Sequence, residues 1–237
     1  MNNPSTTGPR HMPRPGRQPS VLSGLPPKLS QQLFSNATSV KLDGGQTLFL
    51  AGDPGDGCYR IEKGLLKVTM LSQTGSERIL AILGPGAIVG ELAMLDGLSR
   101  SASVVAVRDA ELSFISRAKF EESTQKYPEV YKHLVALLAS RLRETDGILA
   151  AESFLPLKGR VALTLLELAD HFGEDVGAGR VVIRQKFGQS ELAAMAGIAR
   201  ENFNRILADW KRRKLVSRFS GYYCLENPPL LEKEADI

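Results

Sequence analysis

Cysteine, histidine and tryptophan are rare in this chain, which has two, three and one of them among its 237 residues. Cys58 and Cys224 stand far apart, so they form neither a metal-ligand pair nor a disulfide framework, and they suit a reducing cytoplasm. The apolar runs are short and interrupted by charge, so no segment is long enough to span a bilayer. The N-terminus has no continuous apolar stretch of the kind that a secretory signal requires. These absences favour a cytoplasmic protein without a membrane partner.

Signatures of catalysis are also missing. The sequence has no nucleophile elbow, no metal-ligand spacing and no glycine-rich phosphate loop of the Walker type. An iron–sulfur switch needs several thiolates, which two cysteines do not supply. A haem switch needs an axial ligand in the glycine-rich region described below, where only Cys58 is a candidate, because His133 falls in a later helix. We therefore expect a protein that is not an enzyme and that holds no metal.

The charged residues are unevenly distributed along a chain whose net charge is +4. Residues 1–20 hold five prolines, three arginines and no acid, and they lack the apolar side chains that offset the entropy of ordering. Between Arg200 and Arg218, seven basic residues minus two acids give a local charge of +5. Such a patch is either a solvated helix face or a footprint for phosphates, and its place in a motif must decide between them.

The segment from Val40 to about Arg117 has the pattern of a β domain. Glycine recurs at short intervals, and short apolar runs such as Leu65–Val68 and Ser103–Val107 lie between the glycines. Short strands at regular spacing with glycine turns indicate an all-β sandwich or barrel. A jelly-roll closure would leave few free strand edges.

Helices are predicted on both sides of this segment. Val21–Ser35 has the pattern of a short helix with Leu29 and Leu33 facing inward, and a second short helix is expected over Lys119–Lys126. Over Pro128–Glu152 the apolar residues recur at intervals of three and four, which predicts an amphipathic helix roughly 35 Å long. Its apolar seam requires a partner, which is either its own β domain or the same helix of a second copy in a parallel dimer.

The last third of the chain begins at a proline. Pro156 breaks the helical pattern, because the residue before a proline avoids the helical conformation, and it marks a hinge between two domains. Val161–His171 then has the periodicity of an amphipathic helix. Leu215–Phe219 and Tyr222–Leu225 predict a β-hairpin of the kind that forms the wing of a winged helix. The residues after Pro228 are expected to be a short charged tail.

Gln189–Leu207 has the pattern of a helix-turn-helix. Ser190 is predicted to cap the first helix, and Gly197 to supply the sharp turn. The second helix carries an apolar stripe of Phe203, Ile206, Leu207 and Trp210. The polar residues expected away from that stripe are Arg200, Glu201, Asn204, Arg205 and Lys211. A helix of this kind can enter the major groove of DNA, whereas the alternative is an ordinary helical hairpin with a charged surface.

One further stretch combines an acid, a base and a hydroxyl. Gly90–Ala102 reads Gly-Glu-Leu-Ala-Met-Leu-Asp-Gly-Leu-Ser-Arg-Ser-Ala. Arg100 can meet a phosphate with a fork of N–H donors, and Ser101 adds a hydroxyl beside it. Glu91 can accept hydrogen bonds from sugar hydroxyls, and Gly90 lets the backbone come close. The stretch is suited to one small sugar phosphate, and the alternative is a surface Glu–Arg pair beside a turn.

From about Val21 to Leu225 the chain resembles the cAMP receptor protein/FNR family of bacterial transcription regulators, in its cyclic-nucleotide-responsive branch. The resemblance rests on the Gly90–Ala102 stretch, on Ala51–Asp56 and on the helix that starts with Arg200 and Glu201. It implies an α+β fold with a β-roll (jelly-roll), a long dimerisation helix and a winged helix-turn-helix. The implied divisions are a disordered tail at 1–20, a cyclic-nucleotide-binding domain at 21–126, a dimerisation helix and hinge at 127–155, and a DNA-binding domain at 156–237.

The resemblance also implies the ligand site. Its residues are Gly90, Glu91, Leu92, Arg100, Ser101, Ala102, Arg141, Thr145 and Asp146. Arg141 matches an arginine that supports the acid, and Thr145 matches a threonine that meets the purine edge. Asp146 departs from the family pattern, in which a serine supplied across the dimer is common. Because an aspartate can accept from guanine N–H groups or simply face water, we favour cAMP and keep cGMP as a second ligand.

The DNA-binding residues implied in the same way are Gln189, Ser190, Arg200, Glu201, Asn202, Asn204 and Arg205. Arg200 and Arg205 match contacts to guanine edges, and Glu201 matches a contact to a cytosine amino group. The chemistry supports these pairings, because arginine meets guanine acceptors in a fork and glutamate accepts from cytosine. Asn202, Phe203 and Asn204 differ from the best-known pattern, which leaves open whether the half-site is the common TGTGA.

The implied function is that of a transcription regulator gated by a cyclic nucleotide. A homodimer would bind palindromic double-stranded DNA, with RNA polymerase as a further partner. The ligand would tie the β domain to the dimer seam and turn two recognition helices toward half-sites about one helical turn apart. The alternatives are a DNA-binding regulator that needs no effector or a different one, and an enzyme or signalling module that responds to a cyclic nucleotide.

Overall fold

The computed structural model describes residues 27–235, except for the side chains of Pro27, Leu137, Arg141 and Glu144. The predicted tail at 1–20 and the start of the predicted N-terminal helix lie outside these residues. The helices are α1 Pro27–Leu33, α2 Glu91–Asp96, α3 Arg117–Lys126, α4 Glu129–Phe154, α5 Leu157–Phe172, α6 Gln189–Ala196, α7 Arg200–Arg212 and α8 Pro228–Glu234. The strands are β1 Thr38–Leu42, β2 Thr47–Phe49, β3 Gly57–Leu71, β4 Glu77–Leu83, β5 Ile88–Val89, β6 Ser103–Ser116, β7 Gly173–Asp175, β8 Val181–Ile183, β9 Val216–Phe219 and β10 Tyr222–Leu225.

Two long strands organise the β-rich first half. β3 and β6 have 15 and 14 residues, and they pair with each other in antiparallel register along most of their length. β3 also pairs with β4 and β5, while β6 also pairs with β1 and β2, which makes a six-stranded sheet. Register shifts along β3 and β6 bend the sheet, as β-bulges do. The bent sheet encloses an apolar core that includes Ile61, Leu66 and Leu112.

Helices close one end of this β-roll. Leu29 and Leu33 of α1 are buried together with Phe120 of α3 and with Val130 and Leu134 of α4. The inward positions predicted for α1 are therefore confirmed. The first two turns of α4 belong to this cluster, and the later turns extend beyond it, so the long amphipathic helix packs on its own β domain at its beginning.

The second half of the chain has its own core and its own sheet. β7, β8, β10 and β9 lie side by side in that order, and helices α5 to α8 accompany them. Trp210, Phe203 and Tyr223 are among the largest fully buried side chains. The hairpin of β9 and β10 confirms the predicted wing, and α5 confirms the predicted amphipathic helix. The α+β class is thus confirmed, with the β-roll first and the winged helix-turn-helix second.

Two local predictions were wrong. The residues after Pro228 do not form a loose tail, because they fold into α8, which buries Leu231 in the core of the second half. Ser190 does not cap α6, since that helix already begins at Gln189 and its N-cap is Gly188. The carboxylate of Glu191 instead accepts from the Gly188 N–H at 2.7 Å. In each case the periodicity was too short to fix where the helix begins.

Candidate functional site

The Gly90–Ala102 stretch folds as a loop that contains the short helix α2. Gly90 has φ 84°, a left-handed conformation that side chains with a Cβ rarely adopt, and it leads directly into α2. Glu91 follows as the first residue of α2 and is only 1% exposed. A Cβ on Gly90 would lie 2.5 Å from Nη1 of Arg100, so glycine is needed here for space as well as for conformation.

Arg100 is buried beside Glu91, with 4% of its surface exposed. Its Nη1 donates to the carbonyl oxygens of Gly57 at 2.8 Å and Gly90 at 2.7 Å. Its Cζ lies 4.4 Å from the ring centre of Phe49, in cation–π geometry. Nη2 lies 3.7 Å from Oδ1 of Asp56, an exposed carboxylate. The guanidinium is therefore held in one position by a ring, two carbonyls and a weak ion pair.

One donor of this guanidinium has no acceptor among the described residues. The Arg100 Nε is buried and makes no hydrogen bond there. A buried donor without an acceptor costs about 1–3 kcal/mol, and more when the group is charged. An anion placed at this point would supply both the acceptor and the opposite charge. Ser101 is exposed next to the buried Arg100, so its hydroxyl is available to a phosphate group at the surface of the loop.

The structure adds two residues that the sequence reasoning missed. Phe49 supports Arg100 from β2, and Gly57 supplies a carbonyl from the start of β3. Both lie far from Arg100 in sequence, and strand pairing brings them to it. The sequence signal for this position was Gly57 itself. Glycine is needed there because a Cβ at position 57 would lie 2.1 Å from the carbonyl oxygen of Ile115.

The environment of the site also changes the titration of its neighbours. Burial raises the pKa of the Cys58 thiol well above its usual range, Glu91 raises it further, and Arg100 opposes the shift. Burial likewise raises the pKa of Tyr59, against the influence of Arg100. Cys58 is buried, whereas Cys224 is partly exposed.

The predicted site residues on α4 lie at and beyond the middle of that helix. Thr145 and Asp146 are exposed on the second half of this helix. The side chain of Arg141 lies outside the described residues. In the 90–102 loop, Leu92 is 37% exposed and Ala102 is buried. Within one chain, the candidate site that the described contacts define is the 90–102 loop with Phe49 and Gly57, which support Arg100.

The helix-turn-helix is formed as predicted. Gly197 has φ 62° and makes the turn between α6 and α7, and its N–H donates to the carbonyl of Ala193. On the inner side Leu192, Phe203 and Trp210 are buried in one cluster. The tight turn and this apolar contact fix the two helices against each other.

The outer face of α7 carries the charged residues at its start. Arg200, Glu201 and Arg205 are exposed. Nη2 of Arg205 donates a hydrogen bond to Oδ1 of Asn202 at 2.8 Å. Asn204 does not lie away from the apolar stripe as predicted, since it is only partly exposed and its Oδ1 is buried without a hydrogen-bond partner among the described residues. On α6, Ser190 is exposed and Gln189 is partly exposed.

The basic run at the end of α7 is partly neutralised within the chain. Nη2 of Arg212 lies 3.1 Å from a carboxylate oxygen of Asp209, and Nη1 of Arg213 lies 3.6 Å from the other. Arg213 also pairs with Glu234 of α8. Asp209 is already counted in the local charge of +5, so only Glu234 further lowers the positive charge that this surface offers to a phosphate backbone. Lys211 and Lys214 are exposed.

Comparison with known proteins defines the class. Residues 39–127 match the family model of the cyclic nucleotide-binding domain, and residues 159–234 match that of the Crp-like helix-turn-helix domain. The first range contains the buried Glu91 and Arg100, and the second contains α6 and α7. The protein is therefore a transcription regulator that joins a cyclic-nucleotide-binding domain to a DNA-binding domain.

Whole-chain relatives place it in a family. A CRP-like cAMP-activated global transcriptional regulator of Mycobacterium tuberculosis is 33% identical over 216 residues, which are 91% of this chain and 93% of that one. The cyclic AMP receptor protein of Thermus thermophilus is 37% identical over 81% of this chain and 85% of its own length. The solved catabolite activator protein of Thermus thermophilus is 33% identical, with a TM-score of 0.51 over 92% of this chain and 98% of that one. A CRP/FNR-family regulator from the same organism is 26% identical, with a TM-score of 0.70 over 84% of this chain and 99% of its own.

The chain belongs to the CRP/FNR family of transcription regulators, which are not enzymes. Within residues 27–235, no helix is both long and apolar enough to cross a membrane. In the same part of the chain, no group of three or more histidine, cysteine, aspartate or glutamate side chains is placed to hold a metal ion.

Proposed function

We propose that this protein is a cytoplasmic, homodimeric transcription regulator whose DNA binding depends on a cyclic nucleotide. The β-roll at 21–126 takes the nucleotide, the helix and hinge at 127–155 join the two copies, and the domain at 156–237 binds palindromic double-stranded DNA. The preferred ligand is cAMP, with cGMP as the second, and RNA polymerase is the further partner. The nucleotide acts by favouring one arrangement of the two DNA-binding domains, so its effect is limited by its differential affinity for the two arrangements.

The observation that carries this proposal is the buried pair of Glu91 and Arg100. Burying two charged groups is costly unless each is matched by partners. Nη1 of Arg100 is matched by two carbonyls, and its Nε is left for an acceptor that the described chain does not provide. A cyclic phosphate provides that acceptor, and its ribose offers hydroxyl donors to the Glu91 carboxylate.

Two measurements on the full-length protein test the proposal. Calorimetric titration of nucleotide-free protein is expected to show micromolar or tighter binding of cAMP, weaker binding of cGMP and none of 5′-AMP, whose open phosphate is the control. Fluorescence anisotropy with a duplex carrying two TGTGA half-sites is expected to show tighter DNA binding when cAMP is present. Equal DNA affinity with and without either nucleotide would overturn ligand control.

The dimer is supported by an exposed apolar row on α4. Val135, Leu142 and Leu149 are spaced seven residues apart and are all more than half exposed. A repeat of seven places them on one face, as in a parallel coiled coil. Leu142→Glu is expected to shift sedimentation from dimer to monomer, whereas Leu71→Glu, on an exposed leucine of β3, should leave the dimer intact. A dimer that persists in Leu142→Glu would place the interface elsewhere.

The choice of purine depends on Asp146 in this proposal. The aspartate is exposed on α4, so it is available to a ligand bound in the partner subunit of a dimer. A carboxylate accepts hydrogen bonds and therefore suits the N–H donors of guanine, whereas adenine offers it only an amino group. Asp146→Ser is expected to increase the ratio of cAMP to cGMP affinity about threefold to tenfold, which competition calorimetry measures.

A second candidate is a regulator that binds DNA without an effector. It is favoured by the two carbonyl contacts of Arg100, because they give this arginine a structural role that needs no ligand. Under this alternative the titrations with cAMP and cGMP give no heat of binding, while the protein still binds the duplex with a nanomolar dissociation constant. The same pair of measurements therefore separates the two candidates.

A further inference from the structure

The C-terminal end of α6 is held by an arginine from the β-roll. Nη1 of Arg78, on β4, donates to the carbonyl oxygens of Ala194 at 3.1 Å and Met195 at 2.8 Å. The last carbonyls of a helix have no partner within the helix, so Arg78 caps α6 from outside. Its positive charge also matches the negative end of the helix dipole.

The same side chain reaches a third element. Nη2 of Arg78 lies 2.8 Å from Oε1 of Glu152, near the end of α4. One guanidinium thus joins β4, the last turns of α4 and α6, which is the first helix of the helix-turn-helix. We call this set of contacts the Arg78 bridge. Burial lowers the pKa of Arg78 while Glu152 opposes that shift, as expected for a charge enclosed between packed elements.

The turn of the helix-turn-helix is shaped around the bridge. A Cβ on Gly197 would lie 2.3 Å from Nη1 of Arg78 and 2.8 Å from Oε1 of Glu152. Gly197 therefore serves two purposes, because it adopts a positive φ and also leaves room for the guanidinium. The turn that sets the direction of α7 is in direct contact with the β-roll.

Apolar packing accompanies the bridge. Leu65 of β3 is buried in the cluster that forms the core of the DNA-binding half, and Ile82 of β4 packs against the same cluster. Among described residues, these contacts join the β3–β4 hairpin to α6 over a continuous surface. A polar contact flanked by apolar packing has one well-defined geometry, because the guanidinium donors must meet fixed acceptors.

The bridge is connected to the nucleotide site by a single strand. β3 begins at Gly57, whose carbonyl accepts from Arg100, and it ends at Leu71. Met70, close to that end, pairs with Arg78 in the register of β3 and β4. One strand therefore links the carbonyl that meets Arg100 with the hairpin that carries Arg78.

We propose that Arg78 is a positioning residue that couples the nucleotide site to the DNA-reading helix by fixing the helix-turn-helix against the β3–β4 hairpin and Glu152. The nucleotide in this inference comes from the proposed function. The structural part, that Arg78 holds the helix-turn-helix in place, rests on the Arg78 bridge alone. It assigns the coupling to three contacts of one side chain, at a point distant from both ligands.

The test compares Arg78→Met with the wild type and with Lys67→Met. Methionine keeps the length of the side chain but removes its donors and its charge. Lys67 is the matched control, because its Nζ is 2.7 Å from Oε1 of Glu77 on the same hairpin and the contact does not leave the β-roll. Anisotropy with the two-half-site duplex, with and without saturating cAMP, gives the ratio of DNA affinities.

Arg78→Met is expected to lower that ratio by about fivefold or more, which is the lower end of typical allosteric couplings. Because coupling is reciprocal, the gain in cAMP affinity on adding DNA should fall by the same factor. Lys67→Met should keep the wild-type ratio. A ratio in Arg78→Met within twofold of wild type, with Lys67→Met equally unchanged, would overturn the proposal.

A second measurement does not depend on a nucleotide. Amide hydrogen exchange at Gly197 and Ile198 is expected to be faster in Arg78→Met and in Glu152→Gln, and unchanged in Lys67→Met. The double variant should exchange no faster than the quicker single variant, because both remove the same bridge. If neither nucleotide changes the DNA affinity of the wild type, the proposed function fails. The exchange experiment alone then tests whether the Arg78 bridge holds the turn of the helix-turn-helix. Unchanged exchange in Arg78→Met would refute it.

Discussion

The two binding regions of this protein handle charge in opposite ways. In the β-roll, Glu91 and Arg100 are buried, and the position of Arg100 is fixed by two backbone carbonyls and an aromatic ring. On α7, Arg200, Glu201 and Arg205 are exposed to solvent on one helix face. The first arrangement suits a small ligand that must be enclosed, and the second suits a large partner that brings its own surface.

The contrast also predicts how each region responds to substitution. A buried charge takes part in the fold, so removing it alters both ligand binding and local structure. An exposed charge on a helix can be removed with little effect on folding, so its loss alters recognition alone. The four predictions below make this difference between the two regions measurable.

The largest effect is expected from Trp210→Ala in the DNA-binding half. The side chain is fully buried, and truncating a buried aromatic residue costs about 3–5 kcal/mol. That is a large part of the stability of one domain. We expect urea unfolding followed by circular dichroism to show the DNA-binding half destabilised, while calorimetry still detects cAMP binding by the β-roll. Phe219→Ala is the control, because Phe219 is 81% exposed in the same domain. Loss of cAMP binding in Trp210→Ala would mean that the two halves unfold as one unit.

The next effect is expected from Arg100→Leu in the β-roll. Leucine removes the Nη1 donor to the Gly57 and Gly90 carbonyls. It also removes the buried Nε, which has no acceptor among the described residues. We expect cAMP affinity to fall by about 100-fold or more, roughly 2.7 kcal/mol, when measured by calorimetry. DNA affinity without nucleotide should stay within about threefold of wild type by anisotropy. Arg108→Leu, on an exposed arginine of β6, should change neither value. Retained cAMP binding in Arg100→Leu would show that this arginine does not contribute to nucleotide binding.

The sequence predicted the architecture well, for reasons that are local. Glycine-separated apolar runs gave the strands, and the spacing of three and four gave α4, α5 and α7, because each pattern reports the neighbours of a few residues. α8 was missed, since seven residues with two prolines carry no periodicity and the helix is stabilised by burying Leu231 in a distant core. Glu91 and Arg100 were found through their residue types, whereas Phe49 and Gly57 reach the site only through strand pairing.

Charge was the property that the sequence described least well. The basic run at the end of α7 left open whether it is a solvated helix face or a footprint for phosphates, and it did not show that Glu234, outside the run, pairs with Arg213. Arg78 was not singled out at all, because nothing in Glu77–Leu83 shows that the hairpin meets a helix more than a hundred residues later. Long-range pairs of this kind depend on how two domains are packed, and no local pattern encodes that.

A smaller effect is expected from Glu201→Ala on the exposed face of α7. The variant should fold normally, because Glu201 is exposed. A glutamate that accepts from a cytosine amino group discriminates by about 1–3 kcal/mol, so we expect the preference at one base pair of each half-site to fall about tenfold or more. Competition binding against duplexes with each base at each position measures this. Lys211→Ala, by contrast, should weaken all duplexes alike. An unchanged base preference in Glu201→Ala would show that this residue does not read sequence.

The smallest effect concerns pH, and it again separates the two regions. Burial, with Glu91 adding to it, raises the pKa of the Cys58 thiol above its ordinary value of 9.0. The folded state therefore keeps a proton that the unfolded chain releases, so this contribution to stability is fully present below pH 9 and is lost as pH rises above it. The loss is about 1.4 kcal/mol per pH unit. Cys58→Ala should lower this slope for the β-roll transition in urea unfolding followed by circular dichroism between pH 8 and pH 10.

The single tryptophan makes the assignment of that slope possible. Trp210 lies in the core of the DNA-binding half, so its fluorescence follows that transition, and the remaining change in circular dichroism belongs to the β-roll. Burial also raises the pKa of Cys224, but this thiol is partly exposed, so Cys224→Ala should alter the slope of the tryptophan transition much less. Equal slopes in wild type and Cys58→Ala would show that the Cys58 thiol does not remain protonated at alkaline pH. The two halves would then not differ in how a cysteine changes their stability with pH.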